Sequence, residues 1–199
     1  MGEYRCEGIG SVLGGNYDNL HVEGVFTAKG PIAARNITSE GVSNFSALRT
    51  TSLTCDGVTN IRGLLEAEDA SVEGVLNAED ISVAGNFYAD GVVNTDTLKA
   101  GTATLLYNNK ANAPRFVAKV YAFFTGKDIA VEKEAKIKEL EADTLVIEDY
   151  YVENLIGTDV TIGQGCIVDK VQAGGRLRIH KTATVKDILG TSVVPEYFA

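Results

Sequence analysis

The chain has 199 residues with 45% apolar and 23% charged content, which is ordinary for a globular domain and enough to bury a core. A net charge of −9 and a pI near 4.7 argue against nucleic acid or an anionic membrane surface as the main partner, since both call for clustered Lys and Arg. Gly is abundant at 21 while Pro, Met, Trp and His are scarce, and Val, Ile, Thr and Leu fill the intervals, so the composition favours strands.

Residues 1–18, with the glycine-rich "GIGSVLGG" at 8–15, read as a flexible lead-in. No strand–helix unit surrounds those glycines, so a phosphate cradle is not expected there. The start lacks the basic flank and apolar run of a signal peptide. Position 6 is Cys where a myristoylation signal wants Ser or Thr. No apolar run approaches the length of a spanning helix. Cys6, Cys55 and Cys166 are far apart, odd in number and without a CxxC, which suggests reduced thiols in a cytoplasmic protein.

From residue 19 the chain repeats itself. "HVEGVFT" (21–27) is followed by "TSEGVSN" (38–44), "TCDGVTN" (54–60), "SVEGVLN" (71–77) and "YADGVVN" (88–94). The motif glycines Gly24, Gly41, Gly57, Gly74 and Gly91 are 17, 16, 17 and 17 residues apart. Other columns keep the same register: Leu20, Ile37, Leu53, Ala70 and Phe87 before the glycine, then Val25, Val42, Val58, Val75 and Val92, then Thr27, Asn44, Asn60, Asn77 and Asn94 after it. Within a copy the apolar period is two, as in Ala70, Val72, Gly74, Leu76 and Ala78, which means strands with one buried face. Strands this short cannot close a core alone, so successive copies must stack.

If alternation runs unbroken through the glycine, the Val and Asn columns face outward and the valines form an exposed apolar stripe. If the chain bends there, they turn inward and the asparagines become a buried, hydrogen-bonded ladder. Ser43 and Thr59 speak for the bend, and Phe26 and Leu76 for the unbroken strand, which is the reading adopted.

Residues 101–129 break the beat. "YNNKANAP" reads as a polar loop with a Pro stop, and the segment is expected to carry a protruding insert. The period then resumes as apolar doublets joined by two-residue corners, from Ala135/Ile137 to Ile188/Gly190. Ile162 to Ile179, Val168 to Val185, Val171 to Ile188 and Gly157 to Gly174 are each 17 residues. "EKEAKIKELEAD" (132–143) fits these doublets better than a helical stripe, so it reads as strands with charged outer faces. The whole of 19–190 is therefore expected to be one all-β domain, a parallel β-helix with about 17 residues per turn, triangular in section and right-handed. At the strand spacing of roughly 4.8 Å, about ten or eleven turns make a rod roughly 50 Å long.

Chemistry is sparse along this frame. Neither His21 nor His180 has a Cys, Asp or Glu at metal-ligand spacing, no GxSxG elbow occurs, and no cofactor is expected. The acid column Glu23, Glu40, Asp56, Glu73 and Asp90 lacks the second glycine and nine-residue beat of calcium-binding repeats, so it reads as solvated corner charges. Arg35, Arg49 and Arg62 are the nearest thing to the cluster a sugar-cleaving β-helix would need, but spacings of 14 and 13 fall short of a turn. Cys55 shares a column with Val22, Ser39, Val72 and Ala89 and reads as a small buried side chain.

The run "LHVEGVFTAKGPIAARNITSEGV" (20–42), the "LKAGTATL" turn and the section "ADTLVIEDYYVENLIGTDVTIGQGCIVDKVQAGGRLRI" (142–179) resemble the bactofilins, polymer-forming bacterial cytoskeletal proteins. The resemblance covers roughly 20–190 and rests on repeat grammar. It implies a compact right-handed β-helix that assembles end to end into filaments without nucleotide, has no catalytic residues, and serves with cell-envelope or morphogenesis proteins. A peripheral place at the inner face of the membrane, through such partners, would follow. The chain departs from the family in its length and in the aromatic segment at 114–124.

Stacked coils leave an unpaired strand edge at each end, which must be capped or must pair with another copy. The tail "TSVVPEYFA" (191–199) is the candidate cap or contact, with Tyr197 and Phe198 as its anchors. The expected function is a non-enzymatic scaffold that self-associates through its ends. The alternatives are a β-helix binding module for a protein or cell-wall-related partner and, behind it, a carbohydrate-active enzyme.

Overall fold

A computed structural model describes residues 2–107, 135–190 and 193–199. The described chain is a parallel β-solenoid of about ten turns with about 17 residues per turn and no helix. The first half contains β1 (Gly2–Cys6), β2 (Ile9–Val12), β3 (Gly15–Val22), β4 (Val25–Ala28), β5 (Ile32–Ser39), β6 (Val42–Phe45) and β7 (Leu48–Cys55). Longer strands that run through the corners follow: β8 (Val58–Val72), β9 (Val75–Asp90) and β10 (Val92–Leu106). The second half is β11 (Lys136–Glu148), β12 (Tyr151–Ile162), β13 (Ile167–His180), β14 (Thr184–Leu189) and β15 (Glu196–Phe198).

Every pairing is parallel, and the register reproduces the sequence columns. Leu20, Ile37, Leu53, Ala70, Phe87, Ala103, Leu145, Val160 and Leu177 succeed one another turn by turn, and all are buried. This is the expected consequence of strict alternation: each turn buries its apolar face only when another turn lies on it. The two halves form one stack, because Thr95 of β10 pairs directly with Ile137 of β11, 42 residues on, where about 17 suffice elsewhere. The insert expected over 101–129 begins inside β10, and from residue 108 it lies outside the described residues. In "EKEAKIKELEAD" the described part is strand, with Ala135, Ile137, Leu140 and Ala142 buried and Lys136 and Lys138 exposed.

Three of the four second-half spacings are true register pairs: Ile162 with Ile179, Val168 with Val185 and Val171 with Ile188. Gly157 pairs with Ala173 instead of Gly174, because a register shift falls between Gly157 and Asp159.

The stack also starts earlier than expected. β1 and β2, inside the supposed lead-in of 1–18, already form a turn on β3 and β4. Glu7-Gly8-Ile9 is a further copy of the acid-Gly-apolar corner, disguised because Ile stands for Val and Ser11 stands in the Asn column.

The unbroken strand expected through the motif glycine is not found, because the chain bends there. Strands end at Val22, Ser39, Cys55 and Val72 and restart at Val25, Val42, Val58 and Val75, yet the inward position beyond the corner is kept. Phe26, Ser43, Thr59, Leu76 and Val93, two residues after it, are all buried. Ser43 and Thr59 tolerate this because they are satisfied there. The Ser39 and Ser43 hydroxyls are 2.7 Å apart, and the Thr59 hydroxyl donates to Ser39 at 3.2 Å and accepts from the Cys55 thiol at 3.2 Å. A buried polar group costs little once it has partners. Towards the head, Tyr4, Phe26 and Phe45 stack with centroids 5.6 and 5.7 Å apart.

Candidate functional site

The motif glycines are a steric requirement. At each corner the amide of the following valine donates to the carbonyl of the glycine one turn earlier, from Val25 to Gly8 at 2.8 Å through Val92 to Gly74 at 2.9 Å. A Cβ on Gly24, Gly41, Gly57, Gly74 or Gly91 would fall on that carbonyl oxygen. No residue but glycine lets the turns approach this closely.

The valine column is not the exposed stripe that was expected. Val42, Val58 and Val92 are buried and Val25 and Val75 half-buried. Each stands between its copies at strand spacing, with the asparagine column two residues along on the same side, and this neighbourhood removes most of its surface from water.

The asparagines form the hydrogen-bonded ladder that had been tied to a bent chain, half-buried beside the corner. Asn60 donates to Asn44 at 3.1 Å, Asn77 to Asn60 at 2.8 Å and Asn94 to Asn77 at 2.9 Å, each from Nδ2 to Oδ1. The Asn44 amide ends on the Phe26 carbonyl at 3.4 Å, and the Lys136 amide donates to Asn94 at 3.1 Å. Each side chain spends one N–H and one lone pair along the axis and keeps one of each facing sideways. These groups line a groove of about 470 Å³ with Arg62 and the Asp96–Lys138 ion pair, whose charged atoms are 2.6 Å apart.

One chemical cluster was missed. His21 Nε2 lies 2.8 Å from Glu23 Oε1, and a Glu40 carboxylate oxygen joins them within 4.8 Å. Ligand-spacing rules for helices and loops hide this, because in stacked strands the neighbours are two residues along and one turn on. Arg5 Nη2 stands 2.7 Å from the same Glu23 oxygen. The hydrogen bond from His21 first, and then the Arg5 charge, hold the Glu23 carboxyl below the ordinary carboxylate range. No other group of three potential metal ligands converges among the described residues. The register pairs Arg49 with Ala33 and Glu66, so Arg35, Arg49 and Arg62 do not share a column.

The three cysteines are free and buried. Burial pushes the Cys55 thiol up to about 11 and the Cys166 thiol likewise to about 11, the opposite of what a nucleophile needs.

The ends are the least satisfied parts of the solenoid. In the inward columns Val171 and Ile179 are 0% and 3% exposed, whereas their successors in the last turn, Ile188 and Tyr197, are 40% and 70% exposed. The tail does add a rung: β15 pairs with β13, Phe198 packs edge-on against the His180 ring with centroids 5.1 Å apart, and the Arg178 guanidinium sits 4.8 Å from the Phe198 centroid. That rung leaves Tyr197 open to water. At the head, Tyr4 covers the core against Tyr17 and Phe26, while Ile9 and Leu13 are 76% and 81% exposed.

Among the described residues no helix is long and apolar enough to cross a membrane. No protein-family model, characterised protein or solved structure matches this chain.

Proposed function

We propose that the protein is a non-enzymatic structural scaffold that associates with copies of itself through the ends of its solenoid. The observation that carries this reading is the uncovered last turn. Columns that are sealed from water throughout the stack end in exposed Ile188 and Tyr197, beside the unpaired backbone edges of β14 and β15. An open parallel edge with an apolar inner face is a template for another strand. The repeat-level resemblance to bactofilins points the same way. On this reading the protein works in the cytoplasm, where three free buried thiols are stable, alongside cell-envelope or morphogenesis proteins.

The test is sedimentation velocity with negative-stain microscopy on the wild-type chain and on Ile188→Lys, over a concentration series at low and moderate salt. The wild type should form concentration-dependent assemblies and the variant should not, with its circular dichroism unchanged. A wild type that stays strictly monomeric at high concentration would refute the proposal.

The amide groove supports a second reading, a module that binds a polar partner along the asparagine ladder. Loss of a captured partner on Asn77→Ala and Arg62→Ala, with self-association intact, would favour it.

A further inference from the structure

We propose that His21, Glu23 and Glu40 form one binding site for a divalent transition-metal ion of the zinc type, which pins the corner before β4 to the corner before β6. The donor set is an imidazole nitrogen and two carboxylate oxygens, all within 4.8 Å of one another. Zinc takes such nitrogen and oxygen ligands at about 2.0–2.2 Å, which at tetrahedral angles sets donor atoms roughly 3.3–3.6 Å apart. His21 Nε2 and Glu23 Oε1, joined by a hydrogen bond of 2.8 Å, need to part only slightly, and the Glu40 carboxylate closes in on them. A fourth position is left to water, because both glutamates are exposed.

The backbone sets these side chains in place before any ion arrives. His21 lies inside β3, paired with Arg5 of β1 on one side and Thr38 of β5 on the other. The Glu23 amide donates to the Cys6 carbonyl at 2.9 Å and the Glu40 amide to the Val22 carbonyl at 2.8 Å, so the two acids succeed one another a turn apart. Acids recur at this corner as Asp56, Glu73 and Asp90, but the positions two residues before them carry Thr54, Ser71 and Tyr88. Among the described residues the imidazole is added only at Glu23, so the acid column yields one site and not a row of them.

Charge and ligand type fit a zinc-type ion. Two carboxylates cancel its double charge, and the imidazole favours it over calcium and magnesium, which take oxygen ligands in larger number. Arg5 is the cation beside the cluster: its Nη2 is 2.7 Å from Glu23 Oε1, and its Nε is 2.7 Å from Glu7 Oε1. The guanidinium therefore competes with the ion for Glu23, and it keeps Glu7 as a partner when the ion displaces it.

The experiment titrates the full chain, stripped with a chelator, with zinc chloride in a calorimeter, and with calcium and magnesium chlorides as controls. Wild type should take up one zinc ion per chain and neither of the other two ions. His21→Ala and Glu40→Gln should each weaken zinc binding about tenfold or more, the scale of losing even an outer partner of a ligand. Arg5→Ala, which removes the competitor, should tighten it. Glu73→Gln, in the same acid column but without an imidazole beside it, should leave it unchanged. Cobalt in place of zinc should give visible absorption bands that His21→Ala abolishes. Circular dichroism of the metal-free proteins checks folding, and the exposed Glu40 and Glu73 variants carry the test if His21→Ala does not fold. Zinc binding that survives Glu40→Gln undiminished, or several ions per chain with a loss on Glu73→Gln, would overturn the proposal, as would a wild type that takes up no zinc.

Discussion

The Tyr150 hydroxyl donates to the Gly91 carbonyl oxygen at 2.7 Å, across 59 residues of chain and out of contact with water. In the earlier turns the motif-glycine carbonyl accepts an amide from the next valine, and at Gly91 a side chain from the second half donates to it. The bond ties the regular first half to the doublet-based second half in the buried core. Tyr150→Phe keeps the shape and removes this buried bond, so it should lower stability by about 1–3 kcal/mol. Urea unfolding of the variant checks this, with an unchanged slope and a lower midpoint expected.

Stability should fall as pH rises from 9 towards 11. The ordinary thiol value of 9.0 is raised to about 11 for both Cys55 and Cys166, mainly by burial. Between those values the unfolded chain has released thiol protons that the native chain retains, so the unfolded state binds fewer protons and gains from rising pH. Tyr150, whose phenol is pushed far above its usual 10.0 by burial, acts in the same direction at the upper end. Urea midpoints at successive pH values, compared with those of a Cys55→Ala, Cys166→Ala variant, should show a shallower decline in the variant. A midpoint that rises over this range would contradict the assignment.

The glycine corner gives a paired test. An alanine at Gly57 would put its Cβ on the Gly41 carbonyl oxygen, whereas at Gly174 the nearest atoms are the Gly157 carbonyl at 3.9 Å and the Thr158 Cα at 4.0 Å. Gly57→Ala should cost more than about 3 kcal/mol or abolish folding, as overpacking against backbone does. Gly174→Ala should be neutral or stabilise by about 0.4–1 kcal/mol through the unfolded state. Thermal unfolding of the two variants settles the comparison.

Much of this was legible because a 17-residue period writes the same chemical constraint at each turn. The Leu20-to-Phe87 column and the Val168–Val185 pair were readable as partners since an inward position must be apolar in every copy. The turn at β1 and β2 escaped notice because Ile9 and Ser11 satisfy the same geometry with different letters. Ser43 and Thr59 pointed to the bend, which is there, but not to their own burial: sequence shows a polar residue but not its partner, and Ser39 and Cys55 supply the partners from a column on the other side of the corner. The His21–Glu23–Glu40 cluster was invisible because a strand stack makes neighbours of residues that linear spacing rules ignore. The shift beside Gly157 is written only as a Gly174–Gly175 pair, where an extra residue lengthens the step from inward Ala173 to Leu177 to four, against three from Gly157 to Val160.

The asparagine ladder should be felt as a unit. Asn77→Ala removes the middle rung and leaves Asn60 Oδ1 and Asn94 Nδ2 without each other's relay, at a site half-buried from water. The expected cost is about 1–3 kcal/mol. Asn36→Ala removes one amide–amide bond of 2.8 Å to Asn19 at an exposed position and should cost about 0.5 kcal/mol or less. Equal losses in the two variants, measured by urea unfolding, would mean that the ladder contributes no more than a surface bond.

The central claim is that an unfinished core edge at the last turn holds a second copy of the chain. Sedimentation velocity of the wild-type protein from low to high concentration tests it most directly. The account predicts a weight-average sedimentation coefficient that climbs with concentration and is held at the monomer value by Ile188→Lys. A single 21.2 kDa species across the whole series would contradict it.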